Sequence, residues 1–312
     1  MVLSSNNTGT QVIEFLMICF PGMQDTQHWL SIILASLLVL ALGANFVLLM
    51  TIWQEASLYE PMYYLLAIFS VLDVTLCLTV IPKVLLIFWF NMTTISFSGC
   101  FLQMFIMNTF LPMESSTFLV MAYDRYVAIC HPLCSSIITE QFVINAAIFI
   151  VFQNLLATLP TPVLAARLNY CASKVVENCI CANISVIKLS CGDIHLNKLY
   201  QFVSVWCLLG SDLVLILLSY CFMLKAVISL QSGGTTTKAL STCGSHLILI
   251  LFFCTLLLVF IFTNKAGKKI PSEVPILLNV LHHLIPPALN PIVYGVRTQE
   301  IKQGIIKLFK SS

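Results

Sequence analysis

Long stretches almost free of charge dominate this chain. A helix rises about 1.5 Å per residue, so crossing the hydrocarbon core of a bilayer takes roughly 20 mostly apolar residues. Seven such stretches are legible, over residues 29–52, 62–88, 97–129, 142–165, 199–224, 239–263 and 274–296. Hydrocarbon offers no water to bare backbone groups, so each stretch is expected to be a helix. The sequence therefore predicts an all-α integral membrane protein, a seven-transmembrane helix bundle over 29–296. An N-terminal tail (1–28) precedes it and a short C-terminal segment (297–312) follows. Only 9% of the 312 residues are charged, against about 25% in a soluble domain. A net charge of +2 leaves no basic face for nucleic acid. No Lys or Arg precedes Lys83, so the apolar run 12–20 lacks the basic region of a signal peptide. The first helix is expected to act as its own targeting signal.

Residues 297–312 interleave Arg297, Lys302, Lys307 and Lys310 with Ile301, Ile305, Ile306, Leu308 and Phe309. That pattern predicts an amphipathic basic helix lying on an anionic lipid surface. The longest loop, about 167–198, falls between the fourth and fifth helices. Positive charge alone does not orient the bundle. One side holds Arg125, Lys225, Lys238, Arg297, Lys302, Lys307 and Lys310. The other holds Arg167, Lys174, Lys188, Lys198, Lys265, Lys268 and Lys269. Four of the second group sit in the long loop, where the positive-inside rule weakens. The uncharged N-terminal tail, and glycosylation sequons at Asn6, Asn91 and Asn183 on one side, point to an extracellular N-terminus.

Cysteines follow the same geography. Cys100 opens the third helix, and Cys171, Cys179, Cys181 and Cys191 crowd the long loop on the oxidising side. Cys77, Cys130, Cys134, Cys207, Cys221, Cys243 and Cys254 lie in helices or on the reducing side, where they read as small apolar residues. Zinc in the loop is disfavoured: Cys179 and Cys181 lack the usual Cys-x-x-Cys spacing, and His195 is the one histidine near them.

Four motifs narrow the class. Met121-Ala-Tyr-Asp-Arg-Tyr-Val-Ala-Ile-Cys-His-Pro-Leu133 closes the third helix, and Pro61-Met-Tyr-Tyr-Leu-Leu-Ala-Ile-Phe-Ser-Val-Leu-Asp73 opens the second. Lys238-Ala-Leu-Ser-Thr-Cys-Gly-Ser-His246 opens the sixth, and Pro287-Ala-Leu-Asn-Pro-Ile-Val-Tyr-Gly295 closes the seventh. Together they resemble the vertebrate odorant receptors of the rhodopsin-like G-protein-coupled class. The long loop and the Phe20-Pro-Gly22 entry resemble their class I, or fish-like, branch. The resemblance implies a plasma-membrane receptor, not an enzyme, that binds a small organic molecule and activates a stimulatory heterotrimeric G protein to raise cAMP.

It also implies roles. Asp73 and Glu114 would face the bundle centre with Asn45 and Asn290, and two carboxylates sharing a site need a proton or a cation between them. A Na⁺ site with Ser115 as a further ligand is one reading; a hydrogen-bonded polar core without an ion is the other, and no other cofactor is implied. Asp124, Arg125 and Tyr126 would form the resting lock and G-protein contact, or else a snorkelling interfacial pair. Pro291 and Tyr294 would belong to the same switch, and His246 would touch the partner or simply pack at the interface. Two disulfides, Cys100–Cys181 and Cys171–Cys191, match the family. Cys179 has no counterpart there, and a Cys19–Cys179 bridge is a hypothesis.

At positions matching the family's pocket stand Met104, Met107, Asn108, Leu111, Cys207, Ser211, Leu257, Ile261, Lys265 and Asn279. The same Met and Leu spacings also suit plain helix packing. Lys265 stands where acid-binding relatives often place an Arg; it keeps the charge and loses the bidentate fork. Carboxylic acids and neutral alcohols, esters, ketones or terpenoids thus remain comparable ligands, as does a non-olfactory role sensing small acids or metabolites. A light receptor needs a Lys in 274–296, and an amine receptor needs an acid in 100–112; neither is present. A transporter needs repeats or broken midplane helices. Pro160, Pro162 and Pro286–Pro287 are expected near helix ends. Adjacent His282 and His283 point about 100° apart on a helix and so cannot act as one pair.

Overall fold

The computed structural model describes residues 13–20, 24–131, 138–171, 174–229, 244, 248, 250, 251, 255, 258, 271 and 273–311. Its long helices are α1 (Gln24–Gln54), α2 (Pro61–Phe90), α3 (Phe97–Cys130) and α4 (Glu140–Thr158), the last continued by a short α5 (Pro160–Ala166). A loop helix α6 (Asn183–Ile187) precedes α7 (His195–Val205), which passes through one π turn, Trp206–Gly210, into α8 (Ser211–Ser229). Next come α9 (Glu273–His282), α10 (Ile285–Arg297) and α11 (Gln299–Ser311). Most of the sixth expected span lies outside the described residues. Among the described residues, five helical segments are long and apolar enough to cross a membrane.

Helix ends follow local chemistry. Pro61 starts α2 at a position where its missing N–H is not needed. Ser96 and Thr139 cap α3 and α4 by accepting from the backbone N–H of Gly99 and Phe142. Asn91 ends α2 in the left-handed region, φ 52°. Breaks inside spans are set by proline. Pro286–Pro287 do fall at a helix end, in the first turn of α10, but that end lies inside the apolar span Glu273–Arg297 and splits it. At the split the ladder tightens to three-residue steps, His283 N–H to Val280 O and Leu284 N–H to Leu281 O, before Ala288 N–H returns to Leu284 O.

The N-terminal tail is more ordered than a plain tail. Strand β1 (Glu14–Met17) pairs antiparallel with β2 (Thr94–Ser96) and parallel with β3 (Val175–Val176), giving the order β2-β1-β3. Phe15 and Met17 point inward while Glu14 and Leu16 point out, the period-two pattern of a half-buried strand. Phe15 packs among Phe97, Phe101 and Tyr170, with centroids 5.4–6.4 Å away. This sheet closes one end of the bundle. The apolar core beneath it includes Met104, Met107, Ile180 and Val280. A second core, with Leu66, Met121, Tyr220, Tyr294 and Ile301, fills the other end.

At that second end α11 folds back along α1. Lys307 Nζ meets Glu55 Oε1 at 2.9 Å, an exposed pair worth little by itself. Close packing matters more: a Cβ at Gly304 would approach Thr51 Cγ2 to 2.6 Å. Ile301 and Gly304 are buried, whereas Ile306, Phe309 and the lysines Lys302 and Lys310 are exposed. The outward apolar pair beside the lysines suits a headgroup boundary.

Two glycines test this packing. Gly304→Val is expected to lower thermal stability by about 1–3 kcal/mol, the range for overpacking. Gly43→Ala, where nothing lies within 4 Å of the added methyl, is expected to be neutral. Thermal unfolding of both purified variants in detergent would compare them; equal midpoints would refute the close α1–α11 contact.

Candidate functional site

The polar machinery is built on α3 and on the broken seventh span. In a helix each N–H serves the carbonyl four residues back, so a proline leaves that carbonyl bare. Pro291 bares the Pro287 carbonyl, and Asn45 Nδ2 donates to it at 2.9 Å from α1. Pro287 bares the His283 carbonyl, and Cys77 Sγ donates to it at 3.5 Å from α2. Cys77, expected to be only a small apolar residue, thus has a polar task. Asn45 also donates to Ala41 O, so its amide ties α1 to α10 and does not reach Asp73.

Asp73 and Glu114 do come together. Asn290 Nδ2 donates to both Asp73 oxygens, at 3.2 and 3.1 Å, and Glu114 lies beside the Asp73 carboxyl. All three side chains are buried, and Glu114 Oε1 has no hydrogen-bond partner. Two buried carboxyls in contact cannot both stay anionic without a proton or a cation between them. An orphan carboxyl oxygen beside a second carboxylate is a hard-oxygen donor set, which fits a small monovalent cation as well as a shared proton.

Ser115 does not join that pair. It lies about 100° further round α3 than Glu114 and, with Ser116, turns toward Asp212 of α8. Ser116 Oγ donates to Asp212 Oδ2 at 2.9 Å, and Ser115 stands beside the same carboxyl. Asp212 is buried and was not singled out from the sequence. An acid at position 212 inside an otherwise apolar span, residues 199–224, was the available signal.

At the far end of α3, Arg125 Nε and its terminal nitrogen both bind Asp124 Oδ2, at 2.8 and 2.7 Å. Tyr126 pairs with His131 through its hydroxyl, 3.2 Å from Nε2. Tyr294 is buried in the same end as Met121 and Tyr220.

Of the pocket residues, Met104, Met107 and Asn279 are buried, and Asn108 and Leu111 are half-buried. Met104 packs into the core beneath the lid, and Asn108 Nδ2 donates to Met104 O. Cys207 and Ser211 are exposed, on the side of Val203, Trp206, Val214 and Leu218. The π turn Trp206–Gly210 rephases the helix, so that Leu208, Leu209 and Asp212 point inward in their place. Leu257, Ile261, Lys265, His246 and Asn6 lie outside the described residues, as do Cys134, Cys243 and Cys254.

Gln103 was also missed. Buried under the long loop, it donates to Thr79 O and accepts from Cys181 N–H, both at 2.9 Å. Cys181 is bonded to Cys100, with Cα atoms 5.4 Å apart, and Cys171 to Cys191, at 5.9 Å. Cys19 and Cys179 are separate thiols. Asn183 is only 2% exposed and donates to Gln201 Oε1 at 2.8 Å. A glycan cannot attach there in the folded protein, so one of the three sequons drops out of the orientation argument.

The bundle superposes on the crystal structure of squid rhodopsin with a TM-score of 0.74 at 14% identity, over 94% of this chain and 82% of that one. That likeness, with the long apolar helices, defines the fold as a multi-pass seven-transmembrane bundle. A family model described as olfactory receptor matches residues 34–312. Human olfactory receptor 56A4 is 64% identical over 311 residues, 99% of each chain. Mouse olfactory receptor 56B34 is 46% identical over 309 residues, 99% of this chain and 96% of that one. The chain belongs to the olfactory receptor family; it is a receptor and not an enzyme.

The α3–α8 node has a direct test. Asp212→Asn keeps one acceptor for the two serines and Asp212→Ala keeps none. Thermal stability is expected to fall in that order, by about 1–3 kcal/mol for the alanine variant, the usual penalty for unpaired buried groups. Indistinguishable midpoints for all three proteins would show that Asp212 is not held by Ser115 and Ser116.

Proposed function

We propose that this odorant receptor sits in the plasma membrane with its N-terminus outside, takes up a small, mostly apolar organic molecule in its outer half, and drives a stimulatory heterotrimeric G protein to raise cAMP. The observation that carries the reading is the polar axis of α3. It runs from Met104 and Asn108 under the lid, through Glu114 against Asp73, to Asp124 and Arg125 at the opposite end. Buried charge in a membrane is retained where it serves a transition between states. Here the Asp73–Glu114 contact and the Arg125–Asp124 pair are the groups a ligand would bias between two packings of one bundle.

The orientation is supported by chemistry. Both disulfides lie in or beneath the loop at the β1 end of the bundle, and disulfides persist on the oxidising side of a membrane. Arg125, Arg297, Lys302, Lys307 and Lys310 gather at the other end, as expected of a cytoplasmic face. Apolar residues with few polar handles beneath the lid suit a small organic ligand. Lys265 keeps an acid among the candidates, as in class I receptors, and a chemoreceptor for small carboxylic acids outside olfaction would use the same residues.

In this reading Asp73 and Glu114 would hold Na⁺, which would supply the positive charge that lets both carboxylates stay ionised. Replacing sodium by potassium in the assay buffer is expected to shift agonist potency in the wild type and to leave Glu114→Gln unmoved. A wild type indifferent to sodium would assign the pair to a shared proton.

Coupling is tested by a cAMP reporter in cells screened with acids and neutral odorants. Arg125→Ala is expected to lose agonist-driven cAMP at unchanged surface expression, and Lys265→Ala to weaken responses to acids while sparing neutral ligands. Full cAMP output from Arg125→Ala would refute the proposed coupling, and undiminished acid responses in Lys265→Ala would remove the carboxylate ligand.

A further inference from the structure

Cys19 and Cys179 are separated in sequence by four membrane crossings and part of the long loop, yet the lid brings them to one place. Parallel pairing sets Leu16 against Val175 and Met17 against Val176. Ile18 N–H continues the ladder to Val176 O at 2.9 Å. Two residues beyond Met17, that register carries Cys19 to the level of Asn178 and Cys179. Neighbouring strands run about 4.8 Å apart, inside the roughly 4.4–6.8 Å between Cα atoms that a disulfide spans. Cys19 is 3% exposed and Cys179 is fully buried, in the same core as the bonded Cys100 and Cys181.

Their surroundings favour a bond over a metal. Among the described residues no group of three or more metal-ligating side chains exists, so the two sulfurs lack the further ligands of a zinc centre. Cys171, Cys181, Cys191 and Cys100 are all paired, which leaves Cys19 and Cys179 as the free thiols of the lid end.

We propose that Cys19 and Cys179 become a third disulfide, stapling β1 to the long loop across the mouth of the bundle. The proposal rests on the orientation above, since the lid must face the oxidising compartment. The oxidant is a disulfide-bearing exchange partner of that compartment, such as a protein disulfide or oxidised glutathione. One cysteine thiolate attacks a sulfur of that disulfide, giving a mixed disulfide and releasing one partner thiolate. The second cysteine thiolate then displaces the remaining partner sulfur. The S–S bond of the partner breaks, the Cys19–Cys179 bond forms, and the partner leaves as two thiols carrying the two protons. Burial pushes the Cys179 thiol up, and the adjoining Cys19 thiol adds to this. The exchange therefore belongs to the folding stage, before the lid packs.

The full-length receptor, expressed in mammalian cells, would be denatured in N-ethylmaleimide without reductant. It would then be reduced, labelled with isotopically heavy iodoacetamide and mapped by mass spectrometry. Cys77, buried in α2 and unbonded, is the internal reference for a free thiol. The expected result is maleimide on Cys77 and only the second label on Cys19 and Cys179, with Cys179 turning maleimide-positive in Cys19→Ala. Maleimide on Cys19 and Cys179, with Cys100, Cys181, Cys171 and Cys191 protected, would overturn this bond alone. So would a Cys179 still protected in Cys19→Ala. Maleimide on all six, with an N-terminal epitope hidden from antibody on intact cells, would overturn the orientation and the bond with it.

Discussion

Every backbone carbonyl in hydrocarbon must find a donor, and this requirement organises the bundle more than any single charge does. Three of the four prolines in the seventh span, Pro286, Pro287 and Pro291, take away donors that a regular helix would supply. The bared carbonyls of His283 and Pro287 are served by Cys77 from α2 and by Asn45 from α1. An unserved buried carbonyl costs on the order of 1–3 kcal/mol. Direct measurements on hydrogen bonds between membrane helices average lower, roughly 0.6 kcal/mol. Either figure makes a proline-broken helix stable only where specific neighbours stand beside it. The break therefore fixes which helices pack together, and it holds Asn290, one turn further on, against Asp73.

What could be read beforehand divides along physical lines. Spans are visible because their signal is composition over about twenty residues, which tertiary context cannot overwrite. Their ends extend a few residues beyond the apolar stretches, because capping and the last helical turns continue into polar residues such as Gln54 and Glu140. Phase is harder. Cys207 and Ser211 match pocket positions of the resembling family, and one π turn places them on the outside here. Nothing in Trp206–Gly210 announces that extra residue. Asp212, by contrast, was legible: an acid in an apolar span is its own signal, and a reading centred on family positions passed over it.

The lid was missed for a related reason. Residues 12–20 form an apolar run too short to span a bilayer; burial alternates there, with Phe15, Met17 and Cys19 inside and Leu16 and Ile18 outside, but all five are apolar and their order shows no period. Even a visible alternation would tell only that one face is buried, not what covers it. The covering partners are Ser96, Ile95 and Thr94 on one edge and Val175 and Val176 on the other. Those contacts join β1 to segments about 80 and about 160 residues further along the chain, a pairing that local pattern cannot supply. Asn183 fails for the same reason: the sequon is local, but its burial against Gln201 is tertiary.

Glu114, Ser115 and Ser116 are consecutive on α3, yet they serve two different neighbours. Glu114 meets Asp73 from α2, and the two serines meet Asp212 from α8. Successive side chains on a helix diverge by about 100°, so a single turn of α3 reaches both sides of the bundle. Its two polar contacts are then geometrically linked. A rotation of α3 that loosens Ser116 from Asp212 also changes how Glu114 addresses Asp73. Packed interiors respond to such displacements by switching between discrete arrangements. The same helix carries Met104 and Asn108 above this turn and Arg125 below it. One rigid element thus places Met104 and Asn108, the two acid contacts and Arg125 on a common axis, so a displacement of α3 at one end is felt at the other.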